Sequence, residues 1–145
     1  GFELHSNSKS QFVELLKTYF AELNFKKKEI EIDFDTTADL AEVTPSLMKW
    51  HDYVGPYGVG FSVPLIRFDS LEILNKKDLK GGHIKLNLTN QFKNCSLDGL
   101  LFSPSEIQRK MLEDGKTFQV LSELQWNYFN GKRSIQLLIK DLKTQ

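Results

Sequence analysis

The side chains best suited to metal or nucleophilic chemistry in these 145 residues are His5, His51, His83 and Cys95. A metal or a nucleophile–base pair needs such groups to converge at defined spacing. The histidines fall in three different predicted elements, so spacing pairs none of them. His51 and Asp52 are neighbours on a predicted helix, which turns their side chains apart. There is no Gly-x-Ser-x-Gly, no Walker-type loop and no Cys-x-x-Cys. Gly58-Val59-Gly60 reads as a corner rather than a phosphate cradle. No catalytic residue and no metal ligand is assigned. What remains is cations beside polar and aromatic groups: Arg67, Lys85 between His83 and Asn87, and the string Tyr128-Phe129-Asn130-Gly131-Lys132-Arg133. Such sets suit binding, with cations facing negative charge and aromatic rings facing flat apolar groups.

Helices and strands around these residues can be read from periodicity. Ser8 and Gln11 have capping-box spacing and open a helix with Phe12, Leu15, Leu16, Tyr19 and Leu23 on one face. Lys26-Lys27-Lys28 reads as a solvated turn. Glu29 to Phe34 alternates as a half-buried strand. Thr44-Pro45 caps a short helix with Leu47, Met48 and His51 on one side. Three glycines and a proline between Gly55 and Gly60 then break the pattern. After the break the chain is mainly β. Strands are predicted over Leu65–Leu74, His83–Leu88, Cys95–Phe102, Thr117–Asn127 and Arg133–Asp141. A short helix capped by Ser103-Pro104-Ser105-Glu106 runs to Gly115 and separates the third strand from the fourth. Asn75 to Asp78 and Lys80 to Gly82 flank a polar loop, and Asn130-Gly131 makes the last hairpin turn. On the second strand Ile84, Leu86 and Leu88 face one way and His83, Lys85 and Asn87 the other. Trp126 is in phase with Val120 and Leu124 and reads as core.

Composition adds a boundary. Hydrophobic residues make up 40% and charged residues 26%, the balance of a globular protein, and no apolar run is long enough for a membrane span. The start of the chain does not read as a signal peptide. A lone cysteine suits a reducing compartment, so the expected location is cytoplasmic. Net charge is zero, but residues up to Gly55 carry six Lys against ten Asp or Glu, and the rest carry thirteen Lys or Arg against nine acids. Polyanion binding belongs to the second part. Three strands, a helix and two strands joined by a hairpin is the element order of an OB-fold, a five-stranded Greek-key barrel, although other small barrels share much of it.

Four segments then resemble one family in order. Pro56-Tyr57-Gly58-Val59-Gly60-Phe61-Ser62-Val63-Pro64 resembles the segment joining the DHHA1 and OB domains of RecJ exonucleases. His83-Ile84-Lys85-Leu86 is similar to the family's His-Leu-Lys-Leu strand. Leu97 to Phe102 is similar to its third strand. Trp126 to Leu137 is similar to its Trp-Asn-Gly-Arg-Arg-Ser-Val-Gln-Leu hairpin. Gly1 to Leu23 is similar to the end of the DHHA1 domain. Two departures stand out: Phe61-Ser62 replaces Asn-Pro at the corner, and Tyr128-Phe129 lengthens the last hairpin.

The resemblance implies an α+β, mainly β chain. Residues 1–55 would be the C-terminal part of a DHHA1-like domain, 56–64 a linker corner and 65–145 an OB-fold nucleic-acid-binding domain. It implies a parent that is a metal-dependent 5′→3′ single-stranded-DNA exonuclease, a hydrolase of DNA repair and recombination. The catalytic Asp-His-His motif is absent from this chain, so it grips DNA and is not catalytic by itself. Mn or Mg belongs to the parent, and no cofactor is expected here. The expected partners are single-stranded DNA, the remaining DHH and DHHA1 domains and other repair proteins, with no membrane. Lys85 is the leading phosphate contact, with His83 and Asn87 beside it and Arg67 joining the same surface. Lys132 and Arg133 would clamp backbone, and Tyr128 and Phe129 would stack on bases. The plain alternatives are solvated cations and aromatics folded over the barrel mouth. The alternative function is an OB-type module that docks a protein partner, and a third is a stand-alone nucleic-acid binder.

Overall fold

The computed structural model describes Glu3, residues 5–23 and residues 31–145, in two compact units that divide between Ile32 and Asp33. The lysine run at 26–28 and the first two residues of the strand expected at 29–34 lie outside the described residues. In the first unit, helix α1 spans Lys9–Glu22. Ser8 precedes it, but its side chain makes no cap hydrogen bond, because its backbone is already helical rather than extended. No residue of α1 is buried, and Leu15, Tyr19 and Leu23 of its apolar stripe are exposed.

The second unit begins earlier than the break at Gly55. Residues 31–34 form no strand; instead Thr36–Thr37 (β1) pairs in parallel with the start of the next strand. The Asp35 carboxylate accepts from Leu65 N–H and its own N–H donates to Leu65 C=O, which fixes that register. Leu40, Val43 and Met48 lie in one buried core with Phe68, Phe118 and Leu142. Residues 33–55, assigned from sequence to the front part, are thus packed into the barrel unit. Helix α2 (Pro45–Val54) starts as its sequence dictates, with the Thr44 hydroxyl accepting from Leu47 N–H and Pro45 in the first turn. Met48 faces the core, whereas Leu47, Trp50, Tyr53 and Val54 are exposed. Residues 56–64 are a fastened corner: Gly58 and Phe61 bridge, Tyr57 stacks on Phe61, and the Tyr57 hydroxyl donates to His51 C=O.

The barrel is built from β2 (Ile66–Asp78), β3 (Ile84–Thr89), β4 (Ser96–Leu101), β5 (Phe118–Phe129) and β6 (Lys132–Thr144), with α3 (Glu106–Asp114) between β4 and β5. Neighbours run β2-β3-β4-β6-β5, and β5 pairs back onto β2, so the sheet closes. The β4–β6 pairing is parallel and the others within the barrel are antiparallel. This is the five-stranded OB-type barrel the element order called for.

The loop expected after the first barrel strand starts later in the chain. Asn75 to Asp78, predicted as loop, belongs to β2, because Asn75, Lys77 and Asp78 lie across from Asn87, Lys85 and Ile84. β2 covers the distance by bending: its register shifts between Phe68 and Leu71 and again between Ile73 and Asn75, with Ser70 at φ 54°. Its first half therefore pairs with β5 and its second half with β3. Ile84, Leu86, Leu88, Leu124, Leu137 and Ile139 fill the interior as their alternation predicts. Among the described residues no helix is long and apolar enough to cross a membrane.

Candidate nucleic-acid interface

Ladder register places the outward-facing side chains. From β3 through β4 to β6 and β5, Asn87, Asp98, Gln136 and Gln125 form one row, and Lys77, Lys85, Leu100, Leu138 and Glu123 form the next. Along β5 and β6 the same outward alternation continues to Asn127 and Ser134 and then to Phe129 and Lys132, at the tip of the hairpin. Lys85, Asn87, Phe129 and Lys132 thus share the outer surface. The track is not open throughout, because Gln136 is only 4% exposed.

Lys85 and Asn87 are held by a residue that sequence reasoning missed. Lys85 Nζ lies 2.7 Å from Asp98 Oδ2, and Asn87 Nδ2 donates to Asp98 Oδ1 at 2.9 Å. Burial pushes the Asp98 carboxyl up, but the hydrogen bonds from Lys85 and Asn87 and the Lys85 charge outweigh it and leave it below its ordinary value. With Asn75 and Lys77, these groups line a shallow cavity of about 360 Å³. Lys77 lies in the stretch expected as polar loop; only its register across from Lys85 brings it here.

His83 is engaged at the end of this surface, and Arg67 stands apart from it. His83 Nδ1 accepts from Ser103 N–H at 3.0 Å and its ring meets Phe102 edge-on, so it ties the β2–β3 turn to the β4–α3 connection. Arg109 of α3 fastens the same turn from the other side, through Asp78 and the Gly82 carbonyl. Arg67 sits in the half of β2 that pairs with β5, ten residues from Lys77. Its guanidinium lies 4.6 Å from the centre of the Phe34 ring and pairs with Asp69 at 3.2 Å. The expectation that Arg67 joins the Lys85 surface is not met, because the bend in β2 separates the two.

The hairpin carries the rest. Asn130 and Gly131 turn it at φ 48° and 71°, as the Asn-Gly pair requires. Tyr128 and Phe129 are each 69% exposed at its end and do not fold over the barrel mouth. They face opposite ways: Phe129 pairs with Lys132 on the outer side, and Tyr128 pairs with Arg133 on the side that continues the barrel interior. Arg133 is five residues along β6 from the Lys85 row, about 17 Å of strand, and on the other face. Lys85 and Arg133 therefore do not form one cationic strip.

On the inner side Arg133 is engaged. Its guanidinium lies 3.4 Å from the centre of the Trp126 ring and 5.9 Å from that of Tyr128. Trp126 Nε1 donates to Asp52 Oδ2 of α2 at 2.8 Å, and Arg133 Nη2 is 3.9 Å from the same oxygen. Trp126, expected in the core, is partly buried between barrel and helix. The prediction that His51 and Asp52 diverge fails, since His51 Nδ1 is 3.7 Å from Asp52 Oδ1. Among the described residues neither ring nitrogen of His51 has a hydrogen-bond partner. Among the described residues no group of three or more His, Cys, Asp or Glu is arranged to hold a metal ion.

No curated protein matches the chain. Solved structures of RecJ match it over its full length. RecJ from Thermus thermophilus in complex with Mn2+ matches with a TM-score of 0.64 and 19% identity. The same organism's RecJ in complex with Mg2+ matches with a TM-score of 0.63 and 20% identity. That likeness concerns the fold, and this chain spans only 20% and 21% of those two chains. The RecJ OB domain family matches residues 34–141, from just inside the start of the second unit to the last strand. The chain belongs to the RecJ OB domain family.

Proposed function

We propose that this chain supplies the single-stranded-DNA grip of a RecJ-type 5′→3′ exonuclease of DNA repair and recombination, and that hydrolysis is performed by domains outside it. Residues 1–32 would be the end of a DHHA1-like domain, the working location the cytoplasm, and the further partners the remaining DHH and DHHA1 domains and other repair proteins. The observation that carries the reading is the tip of the β5–β6 hairpin. An OB barrel binds an oligonucleotide across its second and third strands and between the first and last of its hairpin loops. At the last of these loops this chain exposes two aromatic rings, Tyr128 and Phe129, next to Lys132. Exposed rings beside cations suit unpaired bases on a phosphate chain. Lys85, Lys77 and Asn87 extend the same outer surface toward the other loop.

A titration of fluorescent oligo-dT tests this at low and high salt. The grip predicts binding that weakens steeply as salt rises. A second reading, docking of a protein partner, draws on the exposed Trp50, Tyr53 and Val54 of α2. It predicts no oligonucleotide binding at any salt concentration.

A further inference from the structure

We infer that Asp52 is a positioning residue for the DNA grip: through Trp126 it holds the Arg133 guanidinium ready for a backbone phosphate. This rests on the function proposed above, carries the strand from the outer face round the hairpin tip to its inner side, where Arg133 pairs with Tyr128, and assigns a role to a helix outside the five-stranded barrel.

A guanidinium stacked on a ring uses its face and turns its N–H edges outward, where they can bind two oxygens of a phosphate. Arg133 lies 3.4 Å from the centre of the Trp126 ring and its side chain is 47% exposed, so it is both ordered and reachable. Order matters because an arginine otherwise loses substantial rotamer freedom on binding. The stack is only as firm as the indole beneath it, and Trp126 sits where the hairpin leaves the barrel. Its one polar atom, Nε1, is tied to Asp52 Oδ2 at 2.8 Å. Asp52 is in turn placed by α2, whose Met48 is fully buried in the core and whose start is fixed by the Thr44 cap.

The direct Arg133–Asp52 pair is a weaker link. At 3.9 Å, with both side chains about half exposed, it contributes little. The indole hydrogen bond is therefore the working contact and the Asp52 charge is secondary. Asn at position 52 keeps an acceptor for Nε1, while Ala removes it.

The experiment is oligo-dT binding by the full chain across a salt series, with Arg133→Ala, Asp52→Ala, Asp52→Asn and the Asp52→Ala/Arg133→Ala pair. Arg133→Ala should weaken binding by about tenfold and reduce the slope of log K against log salt by about 0.7, the share of one phosphate contact on a single strand. Asp52→Ala should reproduce most of that loss, and the double variant should be no weaker than Arg133→Ala. Asp52→Asn should stay within about threefold of the unaltered chain. In a Trp50→Phe background, which isolates Trp126, emission should shift to the red in Asp52→Ala and stay in place in Asp52→Asn. Additive losses in the double variant, or unchanged binding by Asp52→Ala when Arg133→Ala is weak, overturn the inference alone. Failure of the unaltered chain to bind overturns the proposed function, and the inference with it.

Discussion

Lys85 extends its ammonium to within 2.7 Å of the Asp98 carboxylate, diagonally across the β3–β4 ladder. The most prominent cation of the outer face is thus already paired within the barrel. A phosphate that takes Lys85 must compete with Asp98, and Asn87 is tied to the same carboxylate. Lys85→Ala is therefore expected to weaken oligo-dT binding by less than about threefold, in line with a half-exposed pair. Asp98→Asn should strengthen binding, because it releases the ammonium. Parallel titrations of the two variants at one salt concentration check both signs.

The same carboxylate sets an acid response. Its folded pKa lies below the ordinary carboxylate value, so near that value the unfolded chain binds more protons at this site. Its contribution to stability is fully present above about pH 4, the unfolded carboxylate range, and is lost as pH falls through the folded value. Thermal melts from pH 7 down to pH 3 should show a steeper decline for the unaltered chain than for Asp98→Asn. Equal slopes would mean that the Lys85 and Asn87 contacts do not act in solution.

The hairpin tip should separate binding from stability. Tyr128 and Phe129 are exposed and lie outside the buried core, so replacing either with Ala should leave the melting temperature nearly unchanged. Each substitution should cost about 1–3 kcal/mol of oligonucleotide affinity if its ring stacks on a base. Because the two rings face opposite ways, binding should discriminate between them. Phe129, beside Lys132 on the outer track, is expected to give the larger loss.

Gly115 ends α3, and it closes a crowded corner. A Cβ there would come within 2.6 Å of Thr144 Cγ2, 2.7 Å of Phe118 Cζ and 2.8 Å of the Met111 carbonyl oxygen. The carbonyl belongs to the helix backbone and cannot swing aside. Gly115→Ala is expected to destabilise the fold by about 1–3 kcal/mol, the usual cost of overpacking. Urea unfolding measures this as a lower midpoint with an unchanged slope.

The parts of this architecture that could be read from sequence are those set by local rules. Alternation placed Ile84, Leu86 and Leu88 inside, Asn130-Gly131 set the last turn, and the Ser103-Pro104-Ser105-Glu106 stretch capped α3, through Ser105. The parts that escaped depend on pairings distant in the chain. Asn75 to Asp78 is polar and reads as loop until β3 lies beside it. The Lys85–Asp98 pair requires the β3–β4 register, and the Asp52–Trp126 bond joins residues 74 apart. No periodicity within β5 or α2 announces that bond. For the same reason Arg67, attractive as a cation on the first barrel strand, proved to serve Phe34 and Asp69.

If the barrel takes unpaired DNA along its outer face and hairpin, oligo-dT affinity across a salt series measures that most directly. The expected result is saturable binding at low salt, with log K falling linearly against log salt, and a marked loss in Phe129→Ala. Absence of binding at low salt, or binding indifferent to both salt and the loss of Phe129, would contradict it.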